Sequence, residues 1–408
     1  MREIFTSIDI GTEEVKVVTA EYHNEKYNVL ASSKVKSRGV KQGLIIDQGL
    51  CASSIKKAIK DVENKLGTKI DKVLAIVPSN NIYITLSEAS INIEGELITG
   101  NDIYRLMQYS IKGKVEQDQE VIDVLPVEYK INKKKVINPL GLEGKKLDIK
   151  CVIVAVPKKN VYSVVSTLKT IGIETMDVTI SSLADYYAIK ANELDSKVVS
   201  VVNIGKDKTV VSVFNKGVLI KDAILPFGSY MIDDAMSFSY KIEKEDSKKI
   251  KEEFAVANRK YADSDEVYKM VNRVNNNIVI NQYRLSELIE NKLVEMLKNI
   301  KNEINNLTNK EIGYIIITGG ITSMTGFSAI VDQLFKGNAS VMNFSIIGIR
   351  DNKYSSSYGA IKYFVSKLEL REKEYSMFNE EKISEMLSTR KKFGKDNVLG
   401  KIFDKFFD

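Results

Sequence analysis

Histidine is almost missing from this chain of 408 residues: His23 stands alone, which all but excludes a histidine-built metal centre or a catalytic triad. Cysteine is nearly as scarce. Cys51 and Cys151 are the only two, far apart and at no metal-ligand spacing, so they are expected to be reduced thiols with a structural role. No apolar run approaches the length of a membrane span. No secretory h-region opens the chain either, because Met1-Arg-Glu-Ile-Phe-Thr-Ser-Ile leads straight into a strand ending at Asp9. An intracellular protein is expected. Charge of one sign is lacking too: the net charge is +6, with Lys and Glu mixed along the chain, which argues against a dedicated nucleic-acid binder. The chain is 44% hydrophobic and longer than one core usually organises, so at least two globular domains are expected.

What the chain does have is a set of glycine turns. Asp9-Ile-Gly-Thr, Asn203-Ile-Gly-Lys-Asp-Lys-Thr209 and Thr318-Gly-Gly-Ile-Thr-Ser-Met-Thr-Gly326 each follow a β-branched apolar run. A glycine just after a buried strand lets the backbone turn tightly and brings N–H groups against an anion. The third stretch continues into a helical pattern from Phe327 to Phe335, so its glycines are expected at a helix N-terminus, where phosphate is favoured. Each turn alone is weak; three in this order outline one nucleotide site.

Periodicity predicts strands over Phe5–Asp9, Val15–Glu21 and Tyr27–Lys36, a helix over Gly49–Leu66 and a strand over Val73–Val77. The scheme recurs as strands Val198–Asn203, Thr209–Asn215 and Val218–Pro226, then a helix from near Ser229. Two β-β-β-α halves, each with a glycine turn after its first strand, make a clamp whose closing angle reports the bound nucleotide.

These residues resemble the actin-like ATPase superfamily, and more narrowly the FtsA family of bacterial cell-division proteins. The narrower resemblance rests on Ile98-Thr-Gly-Asn-Asp-Ile-Tyr-Arg, Val124-Leu-Pro-Val-Glu-Tyr, Asn138-Pro-Leu-Gly-Leu-Glu-Gly144 and Leu147–Val156, which look like the extra subdomain of that family. Pro139, Gly141 and Gly144 are expected to cap a hairpin between Lys130–Val136 and a buried strand Cys151–Val156. The resemblance continues through Leu168–Ala184, Leu225-Pro-Phe-Gly-Ser-Tyr-Met-Ile-Asp-Asp and Ile315–Phe327. It implies an α/β, actin-like (ribonuclease H-like) duplicated clamp with an FtsA-type inserted subdomain and a C-terminal amphipathic helix. The implied boundaries are subdomain 1A at 1–82 and 162–192, 1C at 83–161, 2A at 193–230 and 308–366, and 2B at 231–307. A flexible linker at 367–395 and a membrane-targeting helix at 396–408 follow.

The resemblance also implies ATP and Mg²⁺. Asp9, Gly11 and Thr12 match the first phosphate hairpin, with Asp9 expected to hold Mg²⁺ through water and the backbone at Gly11 and Thr12 to face the phosphates. Glu14 stands where relatives often carry Lys, and Lys16 on the same strand face supplies a charge instead. In the second hairpin Asn203 replaces the usual Asp, Gly205 is kept, Lys206 replaces a glycine, and Thr209 matches the terminal Thr. An Asn neither brings a negative charge to Mg²⁺ nor takes a proton from water, so Asp9 and Asn203 are the nearest catalytic candidates of a weak ATPase at most. In Asp246-Ser-Lys-Lys-Ile-Lys251, Lys251 matches the family's ribose-side lysine while Lys248 replaces its Glu. Gly319, Gly320 and Gly326 match the adenosine-side motif.

The tail carries a second signal. On a helical wheel of about 100° per residue, Val398, Leu399, Ile402, Phe403, Phe406 and Phe407 share one half of the circumference, while Lys401 and Lys405 lie on the other. Leu370–Lys395 before it mixes Glu with Lys and Arg and has no strand pattern, which reads as a tether. A short apolar-faced helix flanked by lysines suits anionic lipid at a membrane interface. The family resemblance implies a filament-forming adaptor on the inner face of the cytoplasmic membrane at the division site. Its implied partners are itself, later division proteins and the C-terminal tail of FtsZ. The helix Leu285–Ile304 matches the subdomain that receives that tail, with Lys292 where an Arg is frequent. Rival readings are an actin-type small-molecule kinase, which needs a cleft carboxylate that Asn203 weakens, and a pilus-assembly or rod-shape actin homologue.

Overall fold

Phe5, Ile8, Val15, Val17 and Val18 are fully buried, as expected of aromatic and β-branched residues in strands packed on both faces. They lie in β1 (Glu3–Ile10) and β2 (Glu14–His23), which with β3 (Lys26–Lys36) form an antiparallel meander. The computed structural model describes residues 2–344 and 346–386. These divide into two compact units: one of residues 2–188, 346–350 and 356–386, the other of residues 189–344 and 351–355.

In the first unit a small ribbon, β4 (Val40–Lys41) and β5 (Leu44–Ile45), leads into α1 (Gln48–Leu66). Asp47 caps this helix by accepting the Leu50 N–H, and Gly67 ends it in the left-handed region. Cys51, Ile55, Ala58, Ile59, Val62 and Leu66 recur at helical spacing and are buried where α1 packs on β2 and β3. β6 (Lys72–Val77) then joins β1 in parallel.

Before the sheet is finished the chain builds a second one from β7 (Tyr83–Asn92), β8 (Gln119–Ile131), β9 (Lys134–Val136) and β10 (Lys146–Pro157), in the order β7-β10-β8-β9. α2 (Gly100–Ile111) starts at a Thr99/Asp102 capping box. It shares a core with the sheet, including Ile103, Leu106, Val124, Leu147, Ile149 and Ile153. The sequence expectation needs correcting here. Lys130–Val136 is not one strand but a tight hairpin of its own, turning at Asn132 and Lys133, whose φ angles are 47° and 74°. It is β8, not that segment, that pairs with β10 along the length of the buried strand. α3 (Lys158–Thr170), β11 (Glu174–Ile180) and α4 (Ser181–Ile189) return to the first sheet, whose order is β11-β6-β1-β2-β3.

The second unit follows the short α5 (Asn192–Asp195) and repeats the plan. β12 (Val198–Ile204), β13 (Thr209–Asn215) and β14 (Val218–Leu225) form the meander. α6 (Tyr230–Tyr240), α7 (Lys244–Glu253), the hairpin β15 (Val267–Val271) and β16 (Asn277–Asn281), and α8 (Gln282–Leu307) come next. β17 (Tyr314–Thr318), α9 (Phe327–Phe335) and β18 (Ala339–Val341) complete a sheet of order β14-β13-β12-β17-β18. The two five-stranded sheets thus have the same strand order, each meander flanked by two parallel strands. α8 buries Leu285, Ile289, Leu293, Met296, Ile300 and Ile304 along one stripe.

α10 (Ser355–Leu370) belongs to the first unit from Ser356 onward. It lies so close to α4 that a Cβ on Gly359 would fall 1.8 Å from the Ala184 carbonyl oxygen. The following residues, expected to begin a linker, are held to the same unit as far as they are described. The Met377 N–H donates to the Ile4 carbonyl at 3.0 Å, the Tyr375 N–H to Glu3 at 3.1 Å, and Thr68 donates to Glu385 at 2.6 Å. The expected terminal helix 396–408, with Val398, Leu399, Lys401, Ile402, Phe403, Lys405, Phe406 and Phe407, lies outside the described residues. Among the described residues no helix is long and apolar enough to cross a membrane. Both cysteines are free and buried, and burial pushes the Cys51 thiol up to about 11.

Candidate functional site

Hairpin pairing puts Asp9, at the end of β1, directly opposite Lys16 on β2. Both side chains are largely sheltered, with relative exposures of 14% for Lys16 and 16% for Asp9, and Lys16 Nζ donates to Asp9 Oδ2 at 2.6 Å. Burial works against the charge on Lys16, but the attraction and hydrogen bond of Asp9 outweigh it, with Glu14 and Asp185 adding to the effect, so its pKa is raised. The turn closes through the Gly11 N–H, which reaches the Glu14 carbonyl at 3.1 Å. Thr12 Oγ1 accepts the Gly43 N–H at 3.0 Å, which ties the hairpin tip to the β4–β5 ribbon.

Asp185 on α4 was missed by sequence reasoning. It is 1% exposed, accepts the Ser356 hydroxyl at 2.7 Å and contributes to the field on Lys16. Ser7 on β1 donates to the Ser357 carbonyl at 2.6 Å, so the start of α10 braces both β1 and α4. Neighbouring serines and a single aspartate in a helical run carry no local signal. Only the fold brings positions 185 and 356 together.

The second unit builds the equivalent hairpin with different chemistry. The Gly205 N–H donates to the Lys208 carbonyl at 3.0 Å, the same closure over the same interval. Asn203, however, faces Val210 across the strands, where Asp9 faces a lysine. Thr209 is fully buried and donates its hydroxyl to the Phe227 carbonyl at 2.9 Å, so it fixes the hairpin against the loop before α6. Gly228 in that loop carries a role that sequence reasoning had not assigned. The Ser229 and Tyr230 N–H groups donate to the Gly205 and Lys206 carbonyls at 2.9 and 3.1 Å. This approach leaves no room for a side chain, since a Cβ on Gly228 would lie 2.4 Å from both oxygens.

Gly319 packs onto the same hairpin. Its φ is 108°, and a Cβ there would fall 2.2 Å from the Ile204 carbonyl oxygen, whereas Gly320 has nothing within 4 Å of its would-be Cβ. Gly319 and Gly320 open a short 3-10 turn over Gly320–Ser323, and only Gly326 stands at the N-terminus of α9. The expectation that all three cap the helix is corrected accordingly. Thr322 donates to the Gly319 carbonyl at 2.7 Å and accepts from Asn352 at 2.8 Å, which fixes the turn. The Ala257 N–H donates to the Thr325 carbonyl at 2.8 Å, tying the segment after α7 to the loop that carries Gly326. On α7, Lys251 is 9% exposed and pairs at 2.5 Å with Asp233 of α6. Lys248 lies 3.9 Å from Glu252. Lys292 pairs with Glu295 one turn along α8 at 2.9 Å.

The structure therefore gathers Asp9, Gly11, Thr12 and Lys16 in one unit, and Asn203, Gly205, Lys206, Thr209 and Gly319 in the other. Among the described residues there is no group of three acidic, histidine or cysteine side chains able to hold a metal. The single hard carboxylate of Asp9 does fit Mg²⁺, which keeps waters and takes one or two carboxylates with substrate phosphates.

Comparison with known proteins agrees with this geometry. The family model described as "SHS2 domain inserted in FTSA" matches residues 79–155, and that described as "Cell division protein FtsA" matches residues 200–359. The cell division protein FtsA of Bacillus subtilis is 25% identical over 366 residues, covering 88% of this chain and 83% of that protein. The protein of the same name from Streptococcus pneumoniae is 26% identical over 86% of this chain and 78% of its own length. Among solved structures, a PilM-PilN type IV pilus biogenesis complex matches with a TM-score of 0.59 and 12% identity, covering 90% of this chain and 99% of that one. MreB5 of Spiroplasma citri bound to ADP matches with a TM-score of 0.54 and 12% identity, over 91% and 99%. At such identities the structural likeness establishes the fold alone. The chain has the actin-like α/β fold with the inserted SHS2 domain, and it belongs to the FtsA family of bacterial cell-division proteins.

Proposed function

We propose that the chain binds ATP with Mg²⁺, assembles with copies of itself and tethers the FtsZ ring to the inner face of the cytoplasmic membrane, where it recruits later division proteins. The observation that carries the nucleotide part is the repeated hairpin. Gly11 and Gly205 each close a turn onto the carbonyl three residues on, at the same place in sheets of the same order. Asp9 and Lys16 supply charge in one hairpin, while Gly205, Lys206 and the open side of Gly320 supply backbone in the other unit. With Asn203 in place of a carboxylate, the nucleotide serves as a structural ligand more than as a substrate.

The membrane part rests on the sequence of the tail. Six large apolar side chains are worth about 1.5–3 kcal/mol each when fully buried, and an interfacial helix buries them only in part while it must also be ordered. One tail therefore binds weakly, and a row of tails on a filament binds firmly. An acidic segment of FtsZ is expected to pair with Lys292 on α8. Pelleting with anionic vesicles in ATP, ADP and no nucleotide tests the assignment: assembly should be strongest in ATP, and equal assembly in all three would refute the role of nucleotide. A fluorescent protein fused to residues 390–408 should mark the bacterial membrane and lose it on Phe403→Glu with Phe406→Glu. Diffuse fluorescence from both fusions would remove the tether.

A further inference from the structure

The Lys16 ammonium lies on one oxygen, Oδ2, of the carboxylate expected to face a divalent cation. Lys16 and Asp9 are strand partners by register, their contact is 2.6 Å, and both are mostly shielded from water. A charge-assisted bond of that length in a sheltered hairpin is among the stronger polar contacts a protein makes. The pair is also held from outside. Gly11 closes the turn against Glu14, leaving little freedom for β1 and β2 to slide, while Asp185, fixed by Ser356, adds a second negative charge acting on Lys16.

We infer that Lys16 is an internal cation that closes Asp9 to free divalent metal, so that metal enters only together with a polyphosphate that draws the ammonium away. Two cations at one carboxylate, the metal arriving directly or through its water, oppose each other by charge. A triphosphate offers Lys16 an alternative anion and brings the metal its remaining oxygen ligands. The inference rests on the proposed nucleotide reading for the identity of the anion, whereas the exclusion of metal by Lys16 does not. Asp9 is then the metal-facing group and Lys16 the group that gates it.

The test uses the full chain and Mn²⁺ alone, followed by electron paramagnetic resonance of the free ion. Wild type should hold Mn²⁺ weakly, and Lys16→Gln should bind it on the order of tenfold or more tightly, because a unit charge a few ångströms away is removed. Lys16→Thr, a β-branched residue suited to a strand, serves as a second neutral variant should the first fold poorly, and Lys16→Arg should behave as wild type. The gain must vanish when Asp9→Asn is added. Equal Mn²⁺ affinity in wild type and both neutral variants would overturn the inference, as would a gain that survives loss of Asp9. Calorimetry with Mg²⁺ and a non-hydrolysable ATP analogue then separates the two ideas. No nucleotide binding by wild type, with the Mn²⁺ gain intact, removes the proposed function and leaves the closure of Asp9 standing.

Discussion

Replacing Gly319 by alanine, with Gly320→Ala beside it as the control, probes the turn that the second unit depends on. The two glycines are neighbours with opposite surroundings. At Gly319 the backbone is at φ 108° and the added methyl would sit 2.2 Å from the Ile204 oxygen and 2.9 Å from its carbonyl carbon. Ordinary contact requires a retreat of about 1 Å. Ile204 is 1% exposed and is the strand partner of Thr209, so the retreat must break the end of the β12–β13 pairing or move β17. An unfavourable φ costs about 1–3 kcal/mol and forced overpacking a similar amount, giving about 2–6 kcal/mol together. At Gly320 nothing lies within 4 Å, and alanine there should leave stability within about 1 kcal/mol. A chain of two units need not unfold in one step, so a single denaturation midpoint is a poor readout. Hydrogen exchange of the amides of β12 and β17 reports the second unit directly. Gly319→Ala should lose protection there while β1 and β6 keep theirs. Unchanged protection in β12 and β17 would refute the argument from close approach. If Gly320→Ala keeps its protection and loses the ATP analogue, the open side of Gly320 is the side that the ligand uses.

Three further outcomes follow from named contacts. Asn203→Asp places a carboxylate facing Val210 across the strands and should raise phosphate release from ATP about tenfold or more; an unchanged rate would count against the proposal that Asn203 limits hydrolysis. Gly359→Ala, with its methyl 1.8 Å from the Ala184 oxygen, should destabilise the first unit by about 2 kcal/mol or more, read by loss of hydrogen-exchange protection in β1 and β6 while β12 and β17 keep theirs. Lys367 on α10 bonds Asp123 and Asp177 at 2.9 Å each, and Tyr363 donates to the same Asp123 at 2.5 Å. Burial opposes the Lys367 charge, but the two carboxylates raise its pKa well above the ordinary value. The folded chain thus keeps a proton that the unfolded chain gives up near pH 10.4. Stability from this cluster is complete below that pH and falls as pH rises beyond it. Lys367→Met should cost about 3 kcal/mol at neutral pH and flatten the alkaline fall, and an unaltered alkaline limb would sink the assignment.

Much of the fold was legible because the strands that matter are buried on both faces. Valine-rich runs at Val15–Val18 and Val198–Val202, broken only by Lys16 and Ser200 and each bounded by a glycine turn, give away strand, turn and duplication together. Periodicity alone placed α1 within a residue of its observed bounds, and the structure adds the caps, Asp47 and Gly67, that fix them. The hairpin at Asn132 and Lys133 was not legible, since it holds a lysine in a backbone region that usually calls for glycine. Gly144 does cushion that hairpin, as a Cβ there would lie 2.2 Å from the Ile131 side chain, but its role appears only once β8 and β9 are in register. Asp185 with Ser356, Lys251 with Asp233, and Lys367 with its two carboxylates share one cause of invisibility. Each is a contact made by topology between residues that no local pattern relates.

The duplicated sheets show what shared architecture does and does not carry over. Both hairpins keep the glycine and the closure onto the third carbonyl, because those are demands of the backbone and any polar ligand at the tip depends on them. The residues across the pairing have diverged: Asp9 against Lys16 is a sheltered pair of opposite charges, and Asn203 against Val210 carries no charge at all. On the proposed reading, metal chemistry would therefore concentrate on the first hairpin, and the second would contribute shape. Such a division would suit the proposed role of nucleotide as a structural ligand. It also explains why a single substitution, Asn203→Asp, is the most economical way to ask whether the second hairpin retains the geometry of a catalyst.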